Sequence, residues 1–213
     1  MGLGIDHFFE NFGGQVGVPG DQIKMVFCLL ISYPFGFIFR AISNPTLRHV
    51  LGTALGFGFQ FLIYKADIIY PLAMALMVYF VMKFMGRNKA VLIFILSMSF
   101  LSIFHIYRMW VDWGGYKMDV TSVLMINVCK GTTLAWCYQD GGKDPSKLSA
   151  SQNKYKVTKL PSLLEYLSFM YFYANTLVGP ACEYNDHDNF INKRETYSKP
   201  PSTFLASLGY LIT

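Results

Sequence analysis

Lys130 is the residue whose position most needs explaining. It stands midway along the apolar stretch DVTSVLMINVCKGTTLAWCY (119–138), with Asn127 three residues earlier on the same helical face. A lysine at the centre of a membrane helix costs about 2.5–3.5 kcal/mol on insertion scales. Such a charge calls for a carboxylate, a water-filled cavity or the anionic part of a ligand. Lys130 therefore reads as a substrate-binding or pathway-lining group, with a structural pair to another helix as the alternative. Asp119 is too far along the helix to be its direct partner, roughly 16 Å at 1.5 Å per residue, and is expected to cap the helix N-terminus instead. A second polar-studded stretch, PSLLEYLSFMYFYANTLVGPACEY (161–184), carries Glu165 and Asn175. Ser162 followed by Glu165 matches a capping box, which gives Glu165 a local role. Asn175 has no such role and is a candidate for lining a cavity. Gly179 and Pro180 are expected to stop the helix.

Other reactive side chains form no convergent set. Of the four histidines, His7, His49, His105 and His187, His105 falls within a span near an interface, where a structural role is expected. Glu183, Asp186, His187 and Asp188 look like metal ligands on paper, but adjacent positions scatter rather than converge, so no metal site is expected. Cys28, Cys129, Cys137 and Cys182 lack CxxC spacing and read as buried thiols. No phosphate-binding loop, dinucleotide fingerprint, serine elbow or zinc-protease motif occurs.

The elements that must hold these groups are membrane helices. The chain of 213 residues is 53% hydrophobic, 17% aromatic and only 15% charged, against about a quarter charged in soluble domains. Its mean hydropathy is +0.34. The net charge of +5 comes from basic residues in loops between apolar runs, which excludes a nucleic-acid partner as its explanation. The first 22 residues hold Asp6, Glu10 and Asp21 and no Lys or Arg, unlike a signal peptide, and read as an interfacial lead-in.

The expected fold is all-α, a polytopic transmembrane bundle of about six spans plus a truncated seventh, forming one membrane domain over 1–213. The six segments are 23–39, 45–64, 68–85, 90–107, 119–138 and 162–178. Pro34 should kink the first, and Asn44 should cap the second with Pro45 at its first position. Gly52, Gly56 and Gly58 offer a small-residue face for close helix contact. The short link 65–67 makes segments two and three antiparallel neighbours, and 139–160 is a polar, basic, solvated loop. The apolar run 204–213 is about half of a span, so the sequence reads as the N-terminal portion of something longer. Ten basic residues fall on the side of the 139–160 loop and four, Lys24, Lys65, Arg108 and Lys117, on the other. The positive-inside rule then puts that loop in the cytosol and the N-terminus across the membrane.

The two polar stretches together resemble membrane-bound O-acyltransferases of the lysophospholipid acyltransferase branch. The resemblance rests on Asp119 with Thr121, Lys130 with Thr132 and Thr133, Tyr138 with Asp140 and Gly141, the run Pro161 to Tyr166, Val178 with Gly179 and Pro180, and Glu183 with Tyr184. It covers about a third of the chain, and its order and spacing make it specific. It implies an endoplasmic-reticulum enzyme, with a lumenal N-terminus, that moves an acyl group from acyl-CoA to the hydroxyl of a lysophospholipid, with no other cofactor. In that family a histidine beside a tryptophan acts as general base and an asparagine assists, both downstream of the Val-Gly-Pro motif. Here Trp110, Trp113 and Trp136 precede Val111, Gly114 and Cys137, so no catalytic residue is expected in this chain. It would supply the scaffold and substrate wall, with Lys130, Asn127, Asn175, Glu165, Glu183 and Tyr184 as substrate-binding candidates. A transporter or channel module using Lys130 and Asn175, or a non-catalytic truncated isoform, are the alternatives.

Overall fold

Asn44 and Pro45 behave as their types require. The Asn44 side chain accepts from the Thr46 N–H at 2.9 Å and, more weakly, from the Leu47 N–H, opening a helix with proline in its first turn. The computed structural model describes residues 4–115 and 118–198, and among these its regular structure is all helix, with no strand. The helices are α1 (Gly4–Val16), α2 (Gly20–Ala41), α3 (Pro45–Tyr64), α4 (Ile69–Met85), α5 (Ala90–Val111), α6 (Thr121–Asp140), α7 (Ala150–Tyr155), α8 (Leu163–Met170) and α9 (Tyr184–Ile191). The apolar run 204–213, read as a truncated seventh span, lies outside the described residues.

Among the described residues three stretches are long and apolar enough to cross a membrane: α2, Pro45–Met85 and α5. The second contains both α3 and α4, joined by a 3-10 turn over Lys65–Ile68 in which Lys65 takes a φ of 54°. The two helices share little direct packing, because the 166–173 stretch reaches both of them. Tyr171 stacks on Phe57 of α3 with ring centroids 4.4 Å apart, while Tyr166 Oη donates to the Ala75 carbonyl of α4 at 2.7 Å. The small face of α3 is what admits this stretch. A Cβ on Gly56 would lie 1.8 Å from the Tyr171 carbonyl oxygen, and one on Gly52 would lie 2.9 Å from the Phe172 ring. The predicted close contact is real, but its partner is irregular backbone rather than another long helix. Gly58 takes no part and faces open space.

The sixth segment departs most from expectation. Its helix covers only eight residues, Leu163–Met170, about 12 Å at 1.5 Å per residue, and leaves helical geometry at Tyr171 instead of Gly179. Irregular backbone at membrane depth is tolerated only where protein receives it. Tyr171, Phe172, Tyr173, Thr176 and Leu177 are all buried, and Thr176 Oγ1 accepts from Gln60 Nε2 at 2.6 Å. α6 is long enough to span but too polar to stand among the apolar stretches; it packs against α4 and α5.

One further expectation gains detail and one changes. The lead-in is a helix, α1, docked on α2 by Asp6, whose Oδ1 accepts from Lys24 Nζ at 2.5 Å and Lys65 Nζ at 2.8 Å. Those two ammonium groups hold the Asp6 carboxyl down to about 2. Asp119 does not cap α6. It pairs with Arg108 Nη1 at 2.6 Å and accepts from Thr121 Oγ1, tying the end of α5 to the start of α6. The 139–160 loop is exposed for the most part but pinned. Arg87 donates to the Thr158 carbonyl and covers the Tyr138 ring at 4.6 Å, and Ser149 with Gln152 forms a capping box on α7.

Candidate functional site

Lys130 is completely buried and its ammonium is fully used. Nζ donates to the Phe169 carbonyl at 3.2 Å, to the Met170 carbonyl at 3.1 Å and to Asn175 Oδ1 at 2.8 Å. An ammonium has three donors, so none remains. The two carbonyls belong to the last turn of α8, the end at which a helix leaves acceptors unsatisfied and favours a cation. Lys130 is thus a C-terminal cap supplied from another helix, and it explains why α8 ends where it does. Asn127, one turn earlier, donates from Nδ2 to Tyr171 Oη at 3.2 Å and to the Pro71 carbonyl at 3.3 Å. Asn175 is half-buried, and its Nδ2 donates to Cys182 Sγ at 3.3 Å. These three candidates meet at one node, where α6 holds the turn that follows α8.

Glu165 and Tyr184 lie elsewhere. Glu165 completes the expected capping box: its Oε2 accepts from the Ser162 N–H at 2.7 Å, and Ser162 Oγ accepts from the Glu165 N–H at 3.4 Å. Both residues line a polar cleft of about 940 Å³ between the 154–162 strand of chain and α9. The cleft also carries Lys154, Lys156, Lys159 and Arg194 as cations and Asp186, Asp188 and Glu195 as carboxylates. Burial pushes the Asp188 carboxyl up, although Arg194 stands 3.0 Å away. Tyr184 is itself buried, edge-on to Phe169 with centroids 5.6 Å apart. Glu183 belongs to neither group; its Oε2 accepts from Cys137 Sγ at 3.6 Å.

A second cation-capped helix end has no signal in the sequence. Arg48, counted as a loop charge, is buried in the first turns of α3 and donates from Nη1 to the Phe190 carbonyl at 2.8 Å and to the Ile191 carbonyl, closing α9. Its guanidinium lies 4.9 Å from the ring centroids of both Phe39 and Phe190, which stack on each other. Hydropathy cannot show this, since the partner lies 142 residues away in sequence. His187, dismissed with the supposed metal cluster, is fully buried and bonds through Nε2 to Ser168 Oγ at 3.2 Å. Burial holds its imidazole well below the usual range, with Lys130, His49 and Arg48 adding to the effect. Among the described residues no group of side chains is arranged to hold a metal ion. All four cysteines are free, and Cys129 is exposed rather than buried.

Residues 104–213, just over half of the chain, match the model of the membrane-bound O-acyltransferase family. The Schizosaccharomyces pombe protein named lysophospholipid acyltransferase is 33% identical over 193 residues, covering 88% of this chain and 37% of that protein. Membrane-bound glycerophospholipid O-acyltransferase 1 of Mus musculus is 33% identical over 192 residues, 86% of this chain and 39% of the mouse protein. Lysophospholipid acyltransferase 6 of Drosophila melanogaster is 28% identical over 202 residues, 91% of this chain and 28% of its own length. The chain therefore spans well under half the length of the curated relatives it matches.

Proposed function

This chain belongs to the membrane-bound O-acyltransferase family, and from that premise we propose that it serves acyl transfer from acyl-CoA to the free hydroxyl of a lysophospholipid in the endoplasmic-reticulum membrane. In that reaction a base takes the hydroxyl proton, the oxygen attacks the thioester carbonyl, and coenzyme A leaves as thiolate and is protonated, yielding a diacyl phospholipid. The observation that carries the reading is the family match over 104–213, the region that builds the Lys130 node and the cleft. The protein is an integral membrane protein, and the N-terminus is assigned to the lumenal side. The catalytic histidine and asparagine are assigned to a part of the enzyme outside this sequence. This portion supplies scaffold and substrate wall, with Asn127, Lys130 and Asn175 setting the turn after α8.

Acyl-CoA brings phosphates from the cytosol, and Lys154, Lys156 and Lys159 stand at the cleft on the face assigned to it. They are the part of the basic loop placed to attract that end of the donor. Replacing all three with alanine in the intact enzyme is expected to raise the KM for acyl-CoA several-fold while the KM for the lysophospholipid stays put. An unchanged acyl-CoA KM removes this role. The transporter reading loses its main argument, because every donor of Lys130 is satisfied within the protein.

A further inference from the structure

We propose that the groove between α1 and the start of α2 holds one acyl chain of a net-neutral diacyl phospholipid drawn from the surrounding bilayer, with α1 lying in the membrane–water interface as its outer wall. The groove encloses about 530 Å³, within the roughly 300–1,000 Å³ range of ligand sites. Phe12 and Val16 of α1, Val18, Ile23 and Val26, and Met118 give it an apolar lining. Gln22 also lines it, beside Asp21, whose carboxylate accepts from the Gln22 N–H at 3.0 Å and from the Met118 N–H at 2.7 Å.

The occupant follows from what the groove adjoins. Ile5, Phe8, Phe12 and Val16 recur at helical spacing and are all exposed, at 52%, 64%, 47% and 57%, which is the apolar side of an amphipathic interfacial helix. On α2 the exposed Val26, Phe27, Leu30, Tyr33 and Phe37 continue this surface along a helix long and apolar enough to span. The groove thus opens from a lipid-facing wall, not from water. Its chemistry also selects against an anionic lipid. The polar side of α1 carries His7, Glu10 and Asn11 and no Lys or Arg, and among the described residues the lining contains no cation.

The test is native mass spectrometry of the intact protein extracted from a bilayer of phosphatidylcholine and phosphatidylserine. Wild type is expected to retain one phosphatidylcholine. Ile23→Trp, which fills the groove, should lower that occupancy at least tenfold, whereas Leu30→Trp on the open wall of α2 should leave it unchanged. Equal occupancy in all three, an adventitious annular lipid only, overturns the proposal, and so does retention of phosphatidylserine or a lysophospholipid in its place. A second measurement covers misfolding of Ile23→Trp. The emission that Phe12→Trp adds, with Trp110, Trp113 and Trp136 replaced by Phe in both it and its parent, should be quenched by phosphatidylcholine brominated on its acyl chains. Unquenched emission would mean that protein covers the groove, and the site would be refuted.

Discussion

Replacing Lys130 with methionine keeps an unbranched side chain, one heavy atom shorter, and removes its charge. The Phe169 and Met170 carbonyls, both buried, lose their donor. A buried acceptor left unpaired costs about 1–3 kcal/mol, so the pair costs about 2–6 kcal/mol. Asn175 is half-buried and finds other partners, so its share is small. Against this, the ion no longer has to be held at membrane depth, which returns about 2.5–3.5 kcal/mol. Taken at mid-range the balance is a loss of about 1 kcal/mol, a small shift in Tm for the intact enzyme. Asn175→Ala perturbs the same node in the opposite way. It keeps the charge buried and takes away the shortest of its three bonds, 2.8 Å, at about 1.5–3 kcal/mol for a hydrogen bond to a charged group. Removing the acceptor is therefore expected to cost more than removing the charge, and the double variant to cost less than the two singles added together. Thermal unfolding of the intact enzyme in detergent, followed by fluorescence, reads all three variants, and acyl transfer by each is measured in parallel. Additive losses would refute the shared node. Full loss of activity with an unchanged Tm in Lys130→Met would refute the cap reading, because the ammonium would then be acting on substrate.

Three more perturbations address the rest of the structure. Gly56→Ala puts a methyl group 1.8 Å from the Tyr171 carbonyl oxygen and should destabilise by about 1–3 kcal/mol or more, while Gly58→Ala, facing open space in mid-helix, should leave Tm unchanged or slightly raised. Arg48→Lys retains charge but loses the planar group that lies against both Phe39 and Phe190; proteolysis near 184–191 should quicken, and an unchanged cleavage rate would show that α9 does not depend on the guanidinium. His187 has a folded pKa below its unfolded value, so the unfolded chain takes up a proton that the folded one refuses, and stability falls as pH drops below about 6.5. The pH dependence of Tm between 7 and 5 should weaken in His187→Gln, which can still bond Ser168, and an identical profile would exclude this group.

What could be read from the sequence was local. Asn44 and Pro45 announce the start of α3, and Ser162 with Glu165 the start of α8, because the donor and its acceptor lie within three residues of each other. The all-helical membrane fold followed from composition and apolar runs. The end of α8 was not legible, since the residue that satisfies its last carbonyls stands about forty positions upstream on α6. Asp119 had a correct type for a cap, but Arg108 on the preceding helix captures its carboxylate instead. The candidate site divided for a related reason. Sequence proximity grouped Glu165 with Asn175, whereas the turn at Tyr171 sends one to the cleft and the other to Lys130. The helical nature of the lead-in was hidden by its five glycines among the first seventeen residues, which lower helix propensity without preventing it when a neighbouring helix packs alongside.

The 166–173 stretch that reaches both α3 and α4 also imposes an order on biosynthesis. The ribosome delivers α3, α4 and α6 to the membrane long before Tyr166 and Tyr171 emerge, and contacts of such long sequence separation form late. Until then the recess at Gly52 and Gly56 is unfilled and the ammonium of Lys130 has none of its three native acceptors. A nascent chain halted before Pro161 therefore presents quality control with an unpaired intramembrane charge, and one that has passed Asn175 does not.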